Sequence, residues 1–253
     1  MMKTVLSEQE RIRYARHLNI PDLGETGQIK LKDASVLVVG CGGLGSASAL
    51  YLAAAGVGRM GLVDSDIVEL SNLQRQVIHS TEMIGIAKIT SAKKRINSLN
   101  PNVDIITLHE RIDENNAREI LAGYAIVIDA TDNFDSRYII NHACVENSIP
   151  FIYGAIYQFS GQMSVFNHKG GPCFQCVFQK PPSEEYKNAN RGVGVVGALP
   201  GVIGSLQAIE AIKLIAGIGQ PMTGRLLIFD GLQMEFKEIS IKKSGKCPVC
   251  FEI

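Results

Sequence analysis

The chain predicts an α/β protein with a doubly wound, mostly parallel sheet. Three observations carry that expectation. Short β-branched runs alternate with helical stretches from residue 31 to 150, the β-α-β-α rhythm of a parallel sheet covered on both faces. A glycine turn, Gly40-Cys41-Gly42-Gly43-Leu44-Gly45, joins the first run to a helix of small residues. Acidic residues close the strands, Asp64 after the second and Asp129 after the fourth.

Each element follows from its pattern. Arg11–Leu18 is helical, with Arg11, Arg13, Arg16 and His17 on its polar positions, and Pro21 and Gly24 end it. Ser35–Val39 is a strand buried on both faces, and Ser46–Ala55 is the helix after the glycine turn. A strand at Arg59–Val63, a helix at Ile86–Ser98, a strand at Asp104–Leu108 and a helix at Glu114–Leu121 come next. A strand at Ala125–Ile128 then leads into Asp129-Ala130-Thr131-Asp132 and a helix starting near Asn133. Beyond Pro150, Phe151–Tyr153, Gly161–Phe166, Arg225–Phe229 and Phe236–Ile241 are strands with short turns, extending the sheet antiparallel. The polar, proline-rich stretch from about 180 to 193 is a loop. The whole is a Rossmann-like sheet in a single domain, 1–253, with an N-terminal arm at 1–30 and halves at 31–150 and 151–253.

Composition narrows the function. Lys+Arg and Asp+Glu both total 25, so no basic excess points to nucleic acid or an anionic membrane. Met1-Met2-Lys3-Thr4 leads into Ser7-Glu8-Gln9-Glu10 rather than an apolar core, and the cytoplasm is the expected address. Ala198–Gly219 is apolar, but Gln207, Glu210 and Lys213 recur along it at every third residue, which predicts a core helix with one polar stripe.

Two Cys-x-x-Cys pairs, Cys173/Cys176 and Cys247/Cys250, have the spacing that closes two thiolates on a tetrahedral Zn²⁺. Paired disulfides or redox dithiols are the competing readings, and both need an oxidising or catalytic context that nothing else in the sequence supplies. Four thiolates leave no open position for water, so the expected role is structural, clipping the C-terminal tail to the body.

Gly40, Gly42 and Gly45 let a backbone approach a phosphate or ribose at the positive end of a helix, and Asp64 suits ribose hydroxyls. That much is common to ATP and NAD. The segment Ser71-Asn72-Leu73-Gln74-Arg75-Gln76 adds an amide and a guanidinium, and Lys88 adds an ammonium at a helix start. NAD needs little cationic help, whereas ATP carries about four negative charges and a pyrophosphate leaving group that Arg, Lys and Mg²⁺ neutralise. Asp132, after a parallel strand, is the natural carboxylate for that Mg²⁺. The plain alternatives are that Arg75 and Lys88 are solvated charges and that Asp132 caps the next helix.

These motifs, with Asp64-Ser65-Asp66, Ala130-Thr131-Asp132-Asn133 and both cysteine pairs, resemble the ubiquitin-activating-enzyme-like adenylyltransferases. The likeness is closest to bacterial members that activate sulfur carriers for molybdopterin or thiamine synthesis. It covers nearly the whole chain. The resemblance implies an ATP site lined by Gly43, Asp64, Asn72, Arg75, Lys88 and Asp132, and by their neighbours in the same motifs. It implies a homodimer in which Arg16 reaches the partner's phosphates. The implied substrate is the C-terminal glycine carboxylate of a small ubiquitin-like carrier ending in Gly-Gly, which threads under the 180–193 loop in the half beyond Pro150. Some members carry a cysteine in that loop. Asn190 stands at the matching position here, so the reaction is expected to stop at the acyl-adenylate, and Cys41 and Cys144 are expected to be small buried residues. The chain ends shortly after Cys250, and no fused sulfurtransferase domain is expected. An NAD-dependent oxidoreductase, resting on the glycine turn and Asp64 alone, is the alternative.

Overall fold

Along the strand Ser35–Val39, Val36 and Val38 turn to one face of the sheet and Leu37 and Val39 to the other, and all four are buried. Alternation with no polar face is the signature of a central strand covered on both sides. The structure is a computed structural model describing residues 5–189 and 192–251. Its elements begin with α1 (Glu8–Arg13), α2 (Ala15–Leu18) and α3 (Gly24–Asp33), an N-terminal arm. The first half follows as β1 (Ser35–Val39), α4 (Gly43–Ala55), β2 (Arg59–Val63), α5 (Lys88–Leu99), β3 (Asp104–Leu108), α6 (Ala117–Leu121), β4 (Ile126–Asp129) and α7 (Phe134–Glu146). The second comprises β5 (Phe151–Tyr157), β6 (Ser160–Phe166), α8 (Phe174–Val177), α9 (Glu184–Ala189), α10 (Leu199–Ala216), β7 (Arg225–Asp230) and β8 (Glu235–Ser240).

The eight strands form one sheet in the order β3-β2-β1-β4-β5-β6-β7-β8. Pairing is parallel from β3 to β5 and antiparallel from β5 to β8, as expected. Strand order reverses between β1 and β4. At such a switch point the flanking connections diverge and leave a crevice beyond the C-terminal strand ends.

Two apolar clusters hold the sheet between its helices. One face packs Val36, Val38, Met60, Leu62 and Ile128 against α4, α5 and α10. The other packs Leu37, Val127 and Phe151 against α6 and α7, and Phe174 meets Phe151, Tyr153, Phe166 and Phe178 at ring distances of 6.2, 5.3, 5.8 and 4.6 Å. Each such ring buries enough area to contribute ~1.5–3 kcal/mol.

Helix α10 is long and apolar enough to cross a membrane, but half of it is buried. Its polar stripe works inside the protein. The Gln207 amide donates to the carbonyls of Asp129 and Ile152, and the Glu210 carboxylate accepts from the Met222 amide and from Lys213. This is the core helix with a polar stripe that the spacing predicts.

Three expectations need correction. The arm is not one helix over Arg11–Leu18: it breaks at Tyr14, whose ring is buried over Gly56 and whose hydroxyl accepts from Asn100. Burying that ring sets the angle between α1 and α2. Helix α3 opens on Gly24, the glycine expected to end the first helix, because Leu31 and Gln28 are fully buried and tertiary packing outweighs propensity. The 180–193 stretch is not wholly loop, since it contains α9. Asn190 lies outside the described residues.

Candidate active site

The glycine turn lies at the switch point. Gly40 has φ +98, a left-handed backbone that favours glycine, and a Cβ there would sit 2.6 Å from the Ala130 carbonyl oxygen. A Cβ on Gly45 would stand 2.0 Å from the Gly40 carbonyl oxygen. These approaches press the end of β1 against Ala130 and Thr131, just after β4, and so bring the turn beside the segment that carries Asp132. Gly42 caps α4, and Gly43 fits under Pro200, where a Cβ would meet the ring at 2.8 Å. The amides of Gly42, Gly43 and Leu44 have no acceptor among the described residues. Free first-turn donors on the positive end of a helix are an anion site in waiting.

Asp64 does two jobs. Its Oδ2 accepts from the Cys41 amide at 2.7 Å and its Oδ1 from the Asp66 amide at 2.8 Å, which ties the turn to the end of β2. Burial raises its pKa, opposed by those two amides and by Lys88. Lys88 opens α5 and is only 6% exposed, with Nζ 2.8 Å from Asp66 Oδ2. A cation at the positive end of a helix is electrostatically unfavourable, and burial compounds it. Its one carboxylate partner is 65% exposed. A lysine held there gains little stability from its place, the local cost expected at a functional site.

The Ser71–Gln76 segment lies across the glycine turn. Asn72 is buried in a single 3-10 turn, its Oδ1 accepting from the Glu69 amide. Ser71 donates through its hydroxyl to Glu69 and accepts from Arg75 at its carbonyl, 3.2 Å away. Arg75 is half-buried, with its carbonyl facing Gly43, and the exposed Gln74 backs onto Gly197; Leu73 is half-buried between them.

Asp132 is exposed and has no partner among the described residues. It does not cap α7. That role falls to Asn133, whose Oδ1 accepts from the Ser136 amide at 2.9 Å, leaving the Asp132 carboxylate free for a cation. Beneath it, buried Asp129 accepts from the Thr131 amide and hydroxyl at 2.9 and 2.6 Å, and Arg137 donates to the Thr131 carbonyl at 2.9 Å. Arg137 Nε lies 3.3 Å from Asp129 Oδ2. Burial raises the Asp129 pKa, with Arg137 opposing. This pair fixes the direction of the loop that presents Asp132.

The turn, Asp64, Asp66, Lys88, Ser71–Arg75 and Asp132 thus gather at the ends of β1, β2 and β4. Arg16 does not join them through any contact in this chain: it is exposed on α2 and has no partner among the described residues. Two residues of the site were not singled out from sequence. Gln76 is buried beside Gly42, and its Oε1 has no partner. His79 is buried between Cys41 and Ser91. Gln76 stood inside the quoted motif, whereas His79 gives no local signal beyond one polar residue after an apolar pair.

The cysteine pairs meet. All four thiols are buried and unbridged, with Sγ atoms within 4.8 Å of one another. The Cys173–Cys176, Cys173–Cys247 and Cys176–Cys250 separations are 3.9, 3.6 and 3.4 Å. Four sulfurs about 2.3 Å from a tetrahedral ion stand roughly 3.8 Å apart, so the residues fit a metal. Cys41 and Cys144 lie elsewhere in the core, and burial pushes both thiols well above their ordinary range, as expected of packing residues rather than nucleophiles.

Known proteins resemble this chain throughout. The ThiF family model matches residues 14–249. A sulfur carrier protein adenylyltransferase of Thermus thermophilus is 46% identical over 249 residues, covering 96% of this chain and 92% of that protein. The adenylyltransferase and sulfurtransferase MOCS3 of Mus musculus is 45% identical over 249 residues, and the chain spans only 54% of its length. Among solved structures, Escherichia coli MccB bound to MccA-N7isoASN superposes with a TM-score of 0.86 at 22% identity, over 97% of this chain and 75% of that one. PaaA superposes with a TM-score of 0.81 at 26% identity, over 96% of this chain and 77% of that one. With these matches along almost its whole length, the chain belongs to the ThiF family of adenylyltransferases.

Proposed function

We propose that the protein adenylylates the C-terminal glycine carboxylate of a ubiquitin-like sulfur carrier. A carboxylate oxygen attacks the α-phosphorus of ATP, and the bond from that phosphorus to the bridging oxygen breaks. Its electron pair leaves with pyrophosphate, and the carrier holds an acyl-adenylate. The nucleophile is already ionised at neutral pH, so no general base is needed, and alignment with charge neutralisation does the work. The amides at the start of α4, Lys88 and Arg75 face the phosphates, and Asp64 takes the ribose. Asp132 would hold Mg²⁺, which supplies countercharge to the leaving pyrophosphate. Arg16 of a second copy, in a homodimer, adds a further cation.

One observation carries this reading. The buried Lys88, paired with Asp66, adjoins a turn full of unpaired amides, and Asp132 beyond β4 offers a carboxylate with no partner among the described residues. A nicotinamide reaction needs neither the lysine nor that carboxylate, which leaves the oxidoreductase alternative without support. The cysteine cluster is assigned to structural Zn²⁺, the ion that favours four thiolates in a closed tetrahedron. Six unbridged cysteines suit a reducing compartment, and the cytoplasm is the address assigned.

The carrier is assigned to the second half of the chain. There β8 is an edge strand exposed along its length, with Phe236 and Ile239 on its surface. Helix α9 lies against the start of α7, where Lys187 meets Asp135 at 2.6 Å and Tyr186 meets Phe134 at 6.4 Å, beside Asp132. The carrier's tail runs under this segment to the nucleotide. Molybdopterin and thiamine synthesis are the two sulfur pathways to which the carrier is assigned. The test is ATP–pyrophosphate exchange with purified carriers ending in Gly-Gly. Exchange that requires the carrier and its terminal glycine supports the assignment, and NADH formation without exchange overturns it.

A further inference from the structure

Cys41 is held on both sides. Its amide donates to Asp64 Oδ2 at 2.7 Å, and its carbonyl oxygen lies 2.9 Å from His79 Nε2. A carbonyl only accepts, so Nε2 carries the proton, and Nδ1, 2.9 Å from Ser91 Oγ, accepts from that hydroxyl. Burial, assisted by Lys88, lowers the His79 pKa and favours the neutral ring that this pattern requires. Ser91 stands one turn beyond Lys88 on α5, so the chain Ser91–His79–Cys41 ties the lysine's helix to the glycine turn.

The consequence lies in the next peptide. In a trans peptide the C=O and N–H are coplanar and point in opposite directions, and every described bond here is trans. With the Cys41 carbonyl drawn inward to His79, the Gly42 N–H must point the other way. It has no acceptor among the described residues. If the donor at 79 were lost, the buried Cys41 oxygen would lack a partner, and the peptide could relieve that by turning its oxygen outward. An oxygen aimed at a polyanion repels it where an N–H had attracted it.

We propose that His79 is a positioning residue for the phosphate-binding turn, setting the Cys41–Gly42 peptide so that the Gly42 N–H is presented to the triphosphate. This deepens the assignment of the turn to ATP and rests on it. The two side-chain amides separate the two contacts of the ring. In His79→Gln the amide nitrogen reaches the place of Nε2 and keeps the bond to Cys41. In His79→Asn it reaches only the place of Nδ1 and meets Ser91 alone.

Carrier-dependent ATP–pyrophosphate exchange reads the difference. For His79→Asn the KM for ATP rises about tenfold, the scale of one buried hydrogen bond, while the KM for the carrier is unchanged. His79→Gln recovers most of that loss. Thermal unfolding of both variants gives the folded fraction. A role in folding alone lowers apparent kcat and leaves the KM for ATP where it was; that result, or equal effects of Asn and Gln, overturns the proposal. If His79→Asn does not fold, Ser91→Ala carries the test, since it frees the ring to turn: a raised KM for ATP supports the role and an unchanged one overturns it. Wild-type protein that exchanges normally while the variants keep its KM counts against His79 alone. Wild-type protein without exchange removes the ATP assignment and this proposal together.

Discussion

Lys88→Met separates catalysis from stability, because the two magnitudes differ by orders. Methionine keeps most of the buried stem and deletes only the charge. The stability at stake is the Lys88–Asp66 pair, and Asp66 is 65% exposed, so solvent screens it to about 0.2–1 kcal/mol. Relief of a cation at the start of α5 offsets part of that. For a chain of this size the shift in Tm is then no more than about 2–4 °C. The catalytic loss is larger. A preorganised charged donor on a reacting phosphate contributes about 2.7–4 kcal/mol, or 10²–10³ in rate. Carrier-dependent pyrophosphate exchange and a thermal melt on the same preparation give both numbers. A variant that exchanges within threefold of wild type, or one that melts before it loses activity, refutes the role given to Lys88.

Three further outcomes follow from named contacts. Cys247→Ala leaves three thiols around the cluster, so bound zinc falls below one per chain and Tm drops steeply, while exchange per folded molecule changes little; metal analysis beside a melt checks it, and a stable but inactive variant contradicts a structural site. Gly45→Ala forces a Cβ to 2.0 Å from the Gly40 carbonyl, and shifting the turn costs about 1–3 kcal/mol together with a loss of ATP affinity measurable by calorimetry; unchanged affinity contradicts the geometry. His79 has its folded pKa depressed below the ordinary 6.5. Its contribution is therefore complete above 6.5 and is lost as pH falls through the lower folded value, where the unfolded chain binds the extra proton. Between pH 7.5 and 5 the wild type loses stability more steeply than His79→Gln, and parallel denaturation profiles refute this.

Much of the fold was legible because its signals are local. β1, β2 and β3 are short segments, mostly apolar or β-branched and bounded by turns, and their alternation with helices leaves one economical topology. The glycine turn and the cysteine pairs are legible for the same reason, since spacing along the chain nearly equals spacing in space. Tyr14 shows the limit: the break between α1 and α2 depends on Asn100 and Gly56, residues remote in the chain. Helix α3 likewise depends on what covers Leu31 and Gln28, and α9 on its seat against α7.

The candidate site divides in the same way. Residue types and their intervals single out Asp64, Asn72, Arg75, Lys88 and Asp132 as candidates, because a polyanion demands cations, amides and a metal carboxylate at strand ends. Folding alone decided how each is held. It buried Lys88 and gave the cap of α7 to Asn133 rather than Asp132. It closed residues 173–176 and 247–250 onto one point and turned His79 under Cys41. Those outcomes depend on distances between segments that are far apart in the chain. Periodicity and spacing describe one segment at a time, and only packing sets the distance between two.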